Sequence, residues 1–327
     1  MSEPDSTSSE QRRYLDDIRA IVDQLATDHT SVGNLKIVKG ALLEMASAFR
    51  VFAPYHHVRK VSTFGSARTE PGDRIFQLAE RFARQIADAG FMVITGAGPG
   101  IMEACQRGPG RERSFGVNIR LPFEQAANAV IEGDPKLLTF RYFFTRKLFF
   151  LKEAHAVVLF PGGFGTHDEG FETLTLLQTG KTRPMPLVLL DEPQGTYWKT
   201  WQRYVEDHIL RRGMIGRPDL ALYKVTDQVD SAVREITTYY RVYHSSRFVR
   251  DHFVIRLQHL LPPERVQALT EEFRDIVTDG VIEQRAAFFA ERNEPDIFHL
   301  PRLVFRFDRM HHGRLRELID RINGAGC

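Results

Sequence analysis

The sequence predicts an α/β protein built on a Rossmann-like, doubly wound parallel sheet with helices on both faces. Short apolar segments alternate with longer segments in which apolar residues recur at helical spacing, and this alternation favours a parallel sheet. Glycine-rich turns follow three of the predicted strands. Because ligands of such sheets bind at the carboxyl ends of the strands, these turns predict a ligand site at one edge of the sheet.

The elements follow one another in a regular order along the chain. Apolar residues at helical spacing between residues 14 and 52 predict two helices, separated by a turn at 31–34. Strands are predicted at residues 58–64, 91–95, 114–119, 156–160, 186–190 and 222–225. Helices are predicted between them, at residues 74–89, 101–107, 137–153, 166–178 and 197–209.

The pattern changes after residue 243. A strand is predicted at residues 253–258, a helix at 263–277, a strand at 303–307 and a helix at 313–322. We therefore divide the chain into an N-terminal tail with helices (residues 1–55), a Rossmann-like core (56–243) and a small α+β C-terminal extension (244–327). The extension carries no chemical motif, and we expect it to pack on the core or to build an oligomer.

The composition is that of an ordinary globular protein. Of the 327 residues, 43% are hydrophobic and 26% are charged, and a net charge of +2 gives no reason to expect nucleic acid or an anionic membrane as a partner. Only two cysteines, Cys105 and Cys327, are present, so neither a disulfide framework nor a cysteine zinc site is supported. The chain has no long apolar segment and its N-terminal residues are polar, so we expect a cytoplasmic protein.

One segment combines a strand, a glycine-rich turn and a helix. The strand predicted at residues 156–160 runs directly into Pro161-Gly-Gly-Phe-Gly-Thr166, where a helical pattern begins. Glycines let the backbone approach a ligand closely, and the free N–H groups and positive dipole end of a helix suit a phosphate. Glu169 lies about one turn into the helix, beside the expected anion site. The segment therefore predicts a phosphate held by backbone amides, with a carboxylate close enough to take part in chemistry.

The run Pro-Gly-Gly-x-Gly-Thr-x-x-Glu at residues 161–169 resembles the signature of the LOG (Lonely Guy) family. LOG proteins are nucleoside 5′-monophosphate phosphoribohydrolases that are often mislabelled as lysine decarboxylases. Three further segments fit the family in order and spacing: Gly65-Ser-Ala-Arg68, Gly96-Ala-Gly-Pro-Gly-Ile-Met-Glu-Ala104, and Arg146-Lys147, which stands 15 residues before Pro161. The resemblance implies an AMP nucleosidase-like hydrolase that splits AMP or a cytokinin riboside 5′-monophosphate into free base and ribose 5-phosphate.

The resemblance also implies roles for single residues. Arg146 and Glu169 match the catalytic pair of the family, the carboxylate acting near C1′ of the ribose and the guanidinium as its cationic partner. The amides of residues 163–166 would anchor the 5′-phosphate. The residues expected to contact the substrate are Ser66, Gly98, Glu124, Lys147, Gly162, Gly163, Phe164, Gly165, Thr166, Asp168 and Thr175. No cofactor and no metal is implied, and His167 is interpreted as a tolerated variable position of the signature.

Two other functions compete with hydrolysis. Dinucleotide binding is disfavoured, because Ile101 replaces the third glycine of Gly-x-Gly-x-x-Gly and the next strand ends in Asn118-Ile-Arg120 without the expected acid. A binding module is the stronger alternative, since some LOG-like folds carry molybdenum cofactor and the same phosphate cradle would serve them. The presence of both Arg146 and Glu169 favours hydrolysis of a small-molecule nucleoside monophosphate.

The resemblance further implies a homodimer or a higher homo-oligomer with the site close to the subunit boundary. The helix predicted at 137–153 is unusually rich in phenylalanine, and such an aromatic surplus is typical of an interface core. The alternative is that these rings all pack within one chain. The phenylalanines concerned are Phe140, Phe143, Phe144, Phe149 and Phe150.

Overall fold

The protein is described by a computed structural model that covers residues 9–121 and 126–324. The chain forms two compact units, residues 1–50 and residues 51–327. Two helices, α1 (Ser9–Thr27) and α2 (Val32–Phe52), account for the first unit, and α2 ends just beyond it. The break between the helices, after Thr27 and before Val32, therefore lies earlier than the turn predicted at 31–34. Ser31 Oγ accepts the backbone N–H of Asn34 at 3.2 Å and so caps α2.

The core of the second unit is a seven-stranded sheet in which every pairing is parallel. The strand order is β4-β3-β2-β1-β5-β6-β7, so the order reverses between β1 and β5. The strands are β1 (Lys60–Phe64), β2 (Met92–Thr95), β3 (Ser114–Ile119), β4 (Leu137–Phe140), β5 (Ala156–Leu159), β6 (Leu187–Leu190) and β7 (Lys224–Thr226). The helices are α3 (Arg74–Asp88), α4 (Ile101–Arg107), α5 (Phe143–Lys152), α6 (Phe164–Gln178), α7 (Tyr197–Tyr204) and α8 (Val229–Tyr239).

Helices cover both faces of this sheet, as the alternation of side chains along β1 shows. Val61 belongs to a buried apolar cluster that also contains Phe82 of α3. Its neighbour Ser62 points the other way and donates a 2.7 Å hydrogen bond to the carbonyl oxygen of Phe150 in α5. The ring of Phe64 also lies 4.7 Å from that of Phe150. Successive strand residues face opposite sides of a sheet, so α3 and α5 lie on opposite faces and the predicted doubly wound fold is confirmed.

The prediction of one continuous helix at 137–153 is wrong. Residues 137–140 form the edge strand β4, which pairs with β3 from Gly116↔Leu137 to Ile119↔Phe140, and the helix begins only at Phe143. Leu138 and Phe140 are buried while Thr139 is exposed, which is the period of a strand on a partly covered edge. The segment is too short for periodicity to separate the two states, and the unpaired edge of β3 decides between them.

The C-terminal residues form a four-stranded antiparallel sheet in the order β10-β11-β9-β8. Its buried residues Phe253 and Leu303 join the same apolar cluster as Val61 and Phe82, so this sheet packs on the core within one compact unit. The sequence patterns did not indicate β8 and β10. The elements are β8 (Tyr243–Val249), β9 (His252–Leu257), α9 (Pro263–Glu272), β10 (Glu283–Arg285), α10 (Pro295–Phe298), β11 (Arg302–Phe305) and α11 (His312–Ile322).

No helix within the described ranges is both long and apolar enough to cross a lipid bilayer.

Candidate functional site

A pocket of about 730 Å³ opens where the strand order reverses, at the carboxyl ends of β1 and β5. Its walls are the loop after β1, the start of the turn after β2, the glycine loop after β5 with the first turns of α6, and one face of α5. This is the position at which doubly wound sheets bind ligands. Ser66, Gly162, Gly163, Phe164, Gly165, Thr166, Asp168, Arg146 and Glu169, all expected in the site, line it together.

The glycine loop presents open backbone to this pocket. Gly163 is the N-cap of α6, which starts at Phe164, two residues before the predicted start. A Cβ added to Gly163 or Gly165 would meet no atom within 4 Å, so both backbones face empty space in the pocket. Gly162 differs, because a Cβ there would overlap the buried side chain of Thr166. Gly162 is therefore required for packing, whereas Gly163 and Gly165 leave room for a ligand.

Two side chains outside the expected set hold this loop in place. The hydroxyl of Tyr197, the first residue of α7, donates a 2.5 Å hydrogen bond to the carbonyl oxygen of Gly162. His167 Nε2 lies 2.6 Å from the same hydroxyl. On the other side of the loop, the N–H of Ser66 donates to the carbonyl oxygen of Pro161 at 3.1 Å. Because the Tyr197 proton goes to Gly162, the Tyr197 oxygen accepts from His167.

Glu169 is the buried carboxylate of the pocket. Glu169 is only 5% exposed, and its Oε2 has no hydrogen-bond partner among the described residues. Burial raises the pKa of Glu169 to about 7; the charges of Lys147 and Arg146 lower it, and those of Glu172 and Asp168 raise it. The group is therefore poised to exchange a proton near neutral pH, as a general base or acid requires.

Lys147 does not line the pocket but faces carboxylates along α6. Its Nζ lies 2.5 Å from Glu172, 2.7 Å from Asp168 and 3.8 Å from Glu169 Oε1. Burial opposes its charge, but the hydrogen bonds to Asp168 and Glu172 and the attraction of Glu169 outweigh that effect and raise the pKa of Lys147. Lys147 was expected to contact the substrate, and it contacts carboxylates here.

Arg146 lines the pocket, whereas Lys147 does not. The two are consecutive residues of α5, and consecutive helix residues point in different directions. Arg146 Nε donates a 2.9 Å hydrogen bond to the carbonyl oxygen of Val117 in β3. A Cβ on Gly96 would lie 2.6 Å from Arg146 Nη2, so the guanidinium rests directly on the turn after β2. Burial lowers the pKa of Arg146, although the charge of Glu169 opposes this shift. The guanidinium stays a fixed cation beside the buried carboxylate.

The second glycine-rich turn, residues 96–100, has a structural role beyond Gly96. Gly98 is buried outside the pocket, and its carbonyl oxygen accepts from Asn128 at 2.9 Å. Gly100 has a φ of +70°, and a Cβ there would overlap the carbonyl oxygen of Ser66. The N–H of Ile101, at the start of α4, already donates to that same oxygen at 3.0 Å. Gly100 and the N–H of Ile101 therefore hold the end of this turn against the loop after β1.

One more expected contact, Thr175, is not in the pocket wall. Thr175 is exposed in α6, does not line the pocket and donates its hydroxyl to the carbonyl oxygen of Phe171 at 2.7 Å. Glu124 lies outside the described residues. Within residues 9–121 and 126–324, no group of three or more His, Cys, Asp or Glu side chains is placed to hold a metal ion.

Sequence reasoning missed several residues of the site. Tyr197 braces the glycine loop, and Phe143, Arg68 and Met102 line the pocket. Tyr197 follows β6, the neighbour of β5, so its position at the carboxyl edge could have been inferred from strand order. His167, interpreted as a tolerated position, contacts Tyr197 and packs 5.7 Å from the ring of Trp198.

Residues 100–236 match the sequence model of the family described as "Possible lysine decarboxylase". The LOG-like resemblance is confirmed over this region. No curated protein matches the chain in sequence.

Several solved structures resemble part of this chain. The X-ray structure of TM1055 is 21% identical, with a TM-score of 0.39 over 54% of this chain and 97% of that one. The molybdenum cofactor carrier protein of Chlamydomonas reinhardtii is 19% identical, with a TM-score of 0.38 over 54% and 94%. The DNA processing protein A of Helicobacter pylori is 16% identical, with a TM-score of 0.37 over 54% and 79%. Likeness at this level does not extend to a ligand or an activity.

Proposed function

We propose that the protein hydrolyses the N-glycosidic bond of a nucleoside 5′-monophosphate and releases the free base and ribose 5-phosphate. This proposal rests on the buried carboxylate of Glu169 in the first pocket. A buried carboxylate oxygen without a partner in the described part of the chain costs the fold free energy, and Glu169 faces the same pocket as the open glycine loop. Such a group is retained when a substrate or water uses it.

The chemistry of the reaction suits these groups. Breaking an N-glycosidic bond develops positive charge at C1′ of the ribose and negative charge on the departing base. Ionised Glu169 stabilises the first charge and accepts a proton from the attacking water, whose oxygen bonds to C1′, while the departing base takes up a proton from solvent. A pKa of about 7 for Glu169 matches a base that works near neutral pH. Arg146 supplies a fixed positive charge for the base or the sugar.

The glycine loop positions the substrate for this step. The positive dipole end of α6 favours a 5′-phosphate, and the open backbones of Gly163 and Gly165 let the phosphate approach. The N–H of Thr166 already donates to the carbonyl oxygen of Gly163 at 3.0 Å, so the phosphate would use the other amides of this turn. Glu169 follows one to two turns later on the same helix. Anchoring the phosphate at the helix start therefore fixes the distance from the ribose to the carboxylate.

The test is to incubate the purified protein with AMP and to measure adenine by chromatography. We expect adenine from AMP and little from adenosine, which lacks the anchoring phosphate. Glu169→Gln is expected to lower the rate by about 10²–10⁴-fold while AMP still binds. Glu172→Gln is the matched control, because it removes a carboxylate that contacts Lys147 but does not line the pocket.

The competing function, a carrier that binds a phosphorylated ligand without chemistry, predicts a different result. A carrier would bind AMP or a similar ligand, release no base from any monophosphate, and show no dependence on Glu169 beyond binding. A wild-type protein that binds AMP tightly and yields no adenine or other base would therefore reject hydrolysis.

A further inference from the structure

A second pocket of about 680 Å³ lies at the opposite edge of the parallel sheet. Arg59 precedes β1, His155 precedes β5 and Arg183 precedes β6, so these residues mark the amino ends of the strands. His244 and Arg256, from the C-terminal antiparallel sheet, close the other side. No residue lines both pockets, and the second one falls within the size range of small-molecule sites.

Two guanidinium groups in this pocket have no carboxylate partner among the described residues. Arg183 donates only to backbone oxygens, from Nε to Ala154 at 3.1 Å and from Nη2 to Ala154 at 2.5 Å and to Lys152 at 3.0 Å. Arg59 lies over the ring of Tyr240, with Cζ 4.3 Å from the ring centroid. Backbone carbonyls and an aromatic face orient these cations but leave their charge uncompensated.

The remaining charges of the pocket largely cancel. Arg256 pairs with Glu291 at 2.7 Å and with Glu294 at 2.8 Å. Glu294 also pairs with Arg247. Asp296 is the other acid of the wall and is exposed to solvent. The pocket therefore keeps a positive excess that centres on Arg59 and Arg183.

Two histidines of the pocket, His155 and His244, have pKa values lowered mainly by burial and further by nearby cations. Burial lowers the pKa of His155 to about 2, and the charges of Arg183, Lys60 and Arg59 contribute to the shift. Burial also lowers the pKa of His244 to about 4, with help from Arg59 and other cations. Burial and the nearby cations together leave both rings neutral at physiological pH, and the same cations favour a bound anion.

We propose that this second pocket binds a small molecule that carries a phosphate group, with Arg59 and Arg183 as its ligands. The guanidinium of Arg59 offers paired N–H donors that match phosphate oxygens. Nε and Nη2 of Arg183 serve the backbone, so this group would use Nη1, and a phosphate dianion balances the two cations. The proposal is independent of hydrolysis in the first pocket. The ligand would contact the core through the amino ends of β1, β5 and β6 and the C-terminal sheet through its wall residues, which gives that sheet a role in ligand binding.

Calorimetric titration of the full chain with inorganic pyrophosphate tests the proposal. The Gly163→Val/Gly165→Val background is used so that binding in the first pocket is suppressed. We expect one remaining site, with affinity reduced at least tenfold by Arg59→Gln or Arg183→Gln. Arg212→Gln is the matched control, because Arg212 is exposed and lines neither pocket. Binding that survives both pocket substitutions unchanged overturns the proposal, as does the absence of millimolar or tighter binding.

A pair of substitutions at Gln258 protects the test against loss of folding. Gln258 is exposed in the wall of the second pocket, so either charge is tolerated there. We expect Gln258→Glu to weaken pyrophosphate binding and Gln258→Lys to strengthen it, each by severalfold and less at high salt. Equal affinities for the two variants contradict the proposal. Citrate separates a carboxylate site from a phosphate site, and tighter binding of citrate than of pyrophosphate rejects the phosphate assignment.

Discussion

Gly96 and Arg146, fifty residues apart in the chain, fit each other so closely that a Cβ on Gly96 would lie 2.6 Å from Arg146 Nη2. The missing side chain lets the guanidinium rest on the turn after β2, where Nε also reaches the carbonyl oxygen of Val117. The turn after β2 was expected to lie at the ligand edge of the sheet, and its first glycine makes room for a cation of the site.

We therefore predict that Gly96→Ala displaces the Arg146 guanidinium. The added methyl would also press on Met102, whose flexible side chain can move, whereas Arg146 is held by Val117. The rate of adenine release is expected to fall at least tenfold, a loss of about 1.4 kcal/mol in transition-state stabilisation. Gly72→Ala adds the same methyl group in open space, outside both pockets, and is the control.

A double-substitution cycle makes this prediction sharper. If Gly96 acts through Arg146, Gly96→Ala costs little in a protein that already carries Arg146→Ala. Additive losses in the double variant would show that Gly96 matters for another reason.

The raised pKa of Glu169 predicts how activity depends on pH. The ionised carboxylate is the form that acts as a base, so kcat/KM for AMP is expected to rise as pH increases through about 7. Measurement between pH 5 and 9 in the wild type and in Glu169→Gln checks this limb. A profile that is flat across this range in the wild type would exclude Glu169 as the titrating base.

The same raised pKa predicts that the free energy of unfolding falls as pH increases, whereas activity rises. Glu169 has an ordinary pKa of 4.5 and a folded-state pKa of about 7, so the folded protein binds its proton more tightly. That stabilisation is fully present below pH 4.5 and is lost as pH rises through about 7. At about 1.4 kcal/mol per pH unit, the loss is on the order of 3 kcal/mol. In urea unfolding, Glu169→Gln is therefore expected to gain stability relative to the wild type between pH 4 and pH 8.

The open backbone of the glycine loop predicts a selective loss of phosphate binding. Gly165→Val or Gly163→Val should weaken AMP binding at least tenfold with little effect on stability, since each side chain enters the pocket and not the protein interior. Gly72→Val is the control, because its Cβ also meets nothing within 4 Å and it lines no pocket. Equal AMP affinity in all three variants would place the phosphate elsewhere.

The phenylalanines of α5 predict an interface with a second copy of the chain. Phe140, Phe149 and Phe150 are buried within the chain, whereas Phe143 is 55% and Phe144 is 56% exposed beside the pocket. The expected interface therefore narrows to the exposed pair. We predict that the protein is at least a dimer in light scattering and that Phe144→Asp shifts it toward a monomer.

A matched control is available on another helix. Tyr204 is 52% exposed on α7, and Tyr204→Asp should leave the mass unchanged. A wild type with the mass of one chain at micromolar concentration would contradict the expected assembly.

Much of the fold followed from local patterns. Apolar runs of strand length, helical periodicity and the glycine turns predicted six of the seven strands of the parallel sheet and the edge at which the pocket opens. These features depend on neighbouring residues, whose backbone preferences and burial repeat with a fixed period. Residues 137–140 were misassigned because their state depends on pairing with β3, a contact between segments about twenty residues apart.

The sequence by itself determined the chemical groups of the site: a guanidinium at 146, a carboxylate at 169 and open glycines between strand and helix. Tertiary structure decided what those groups can do. It removed Glu169 from water and left Oε2 without a partner among the described residues, and it seated Arg146 on Gly96. It also turned Lys147 toward carboxylates. Desolvation and charge interactions depend on distances in space, so side chains far apart in the chain set the pKa of Glu169 and the charge of both pockets.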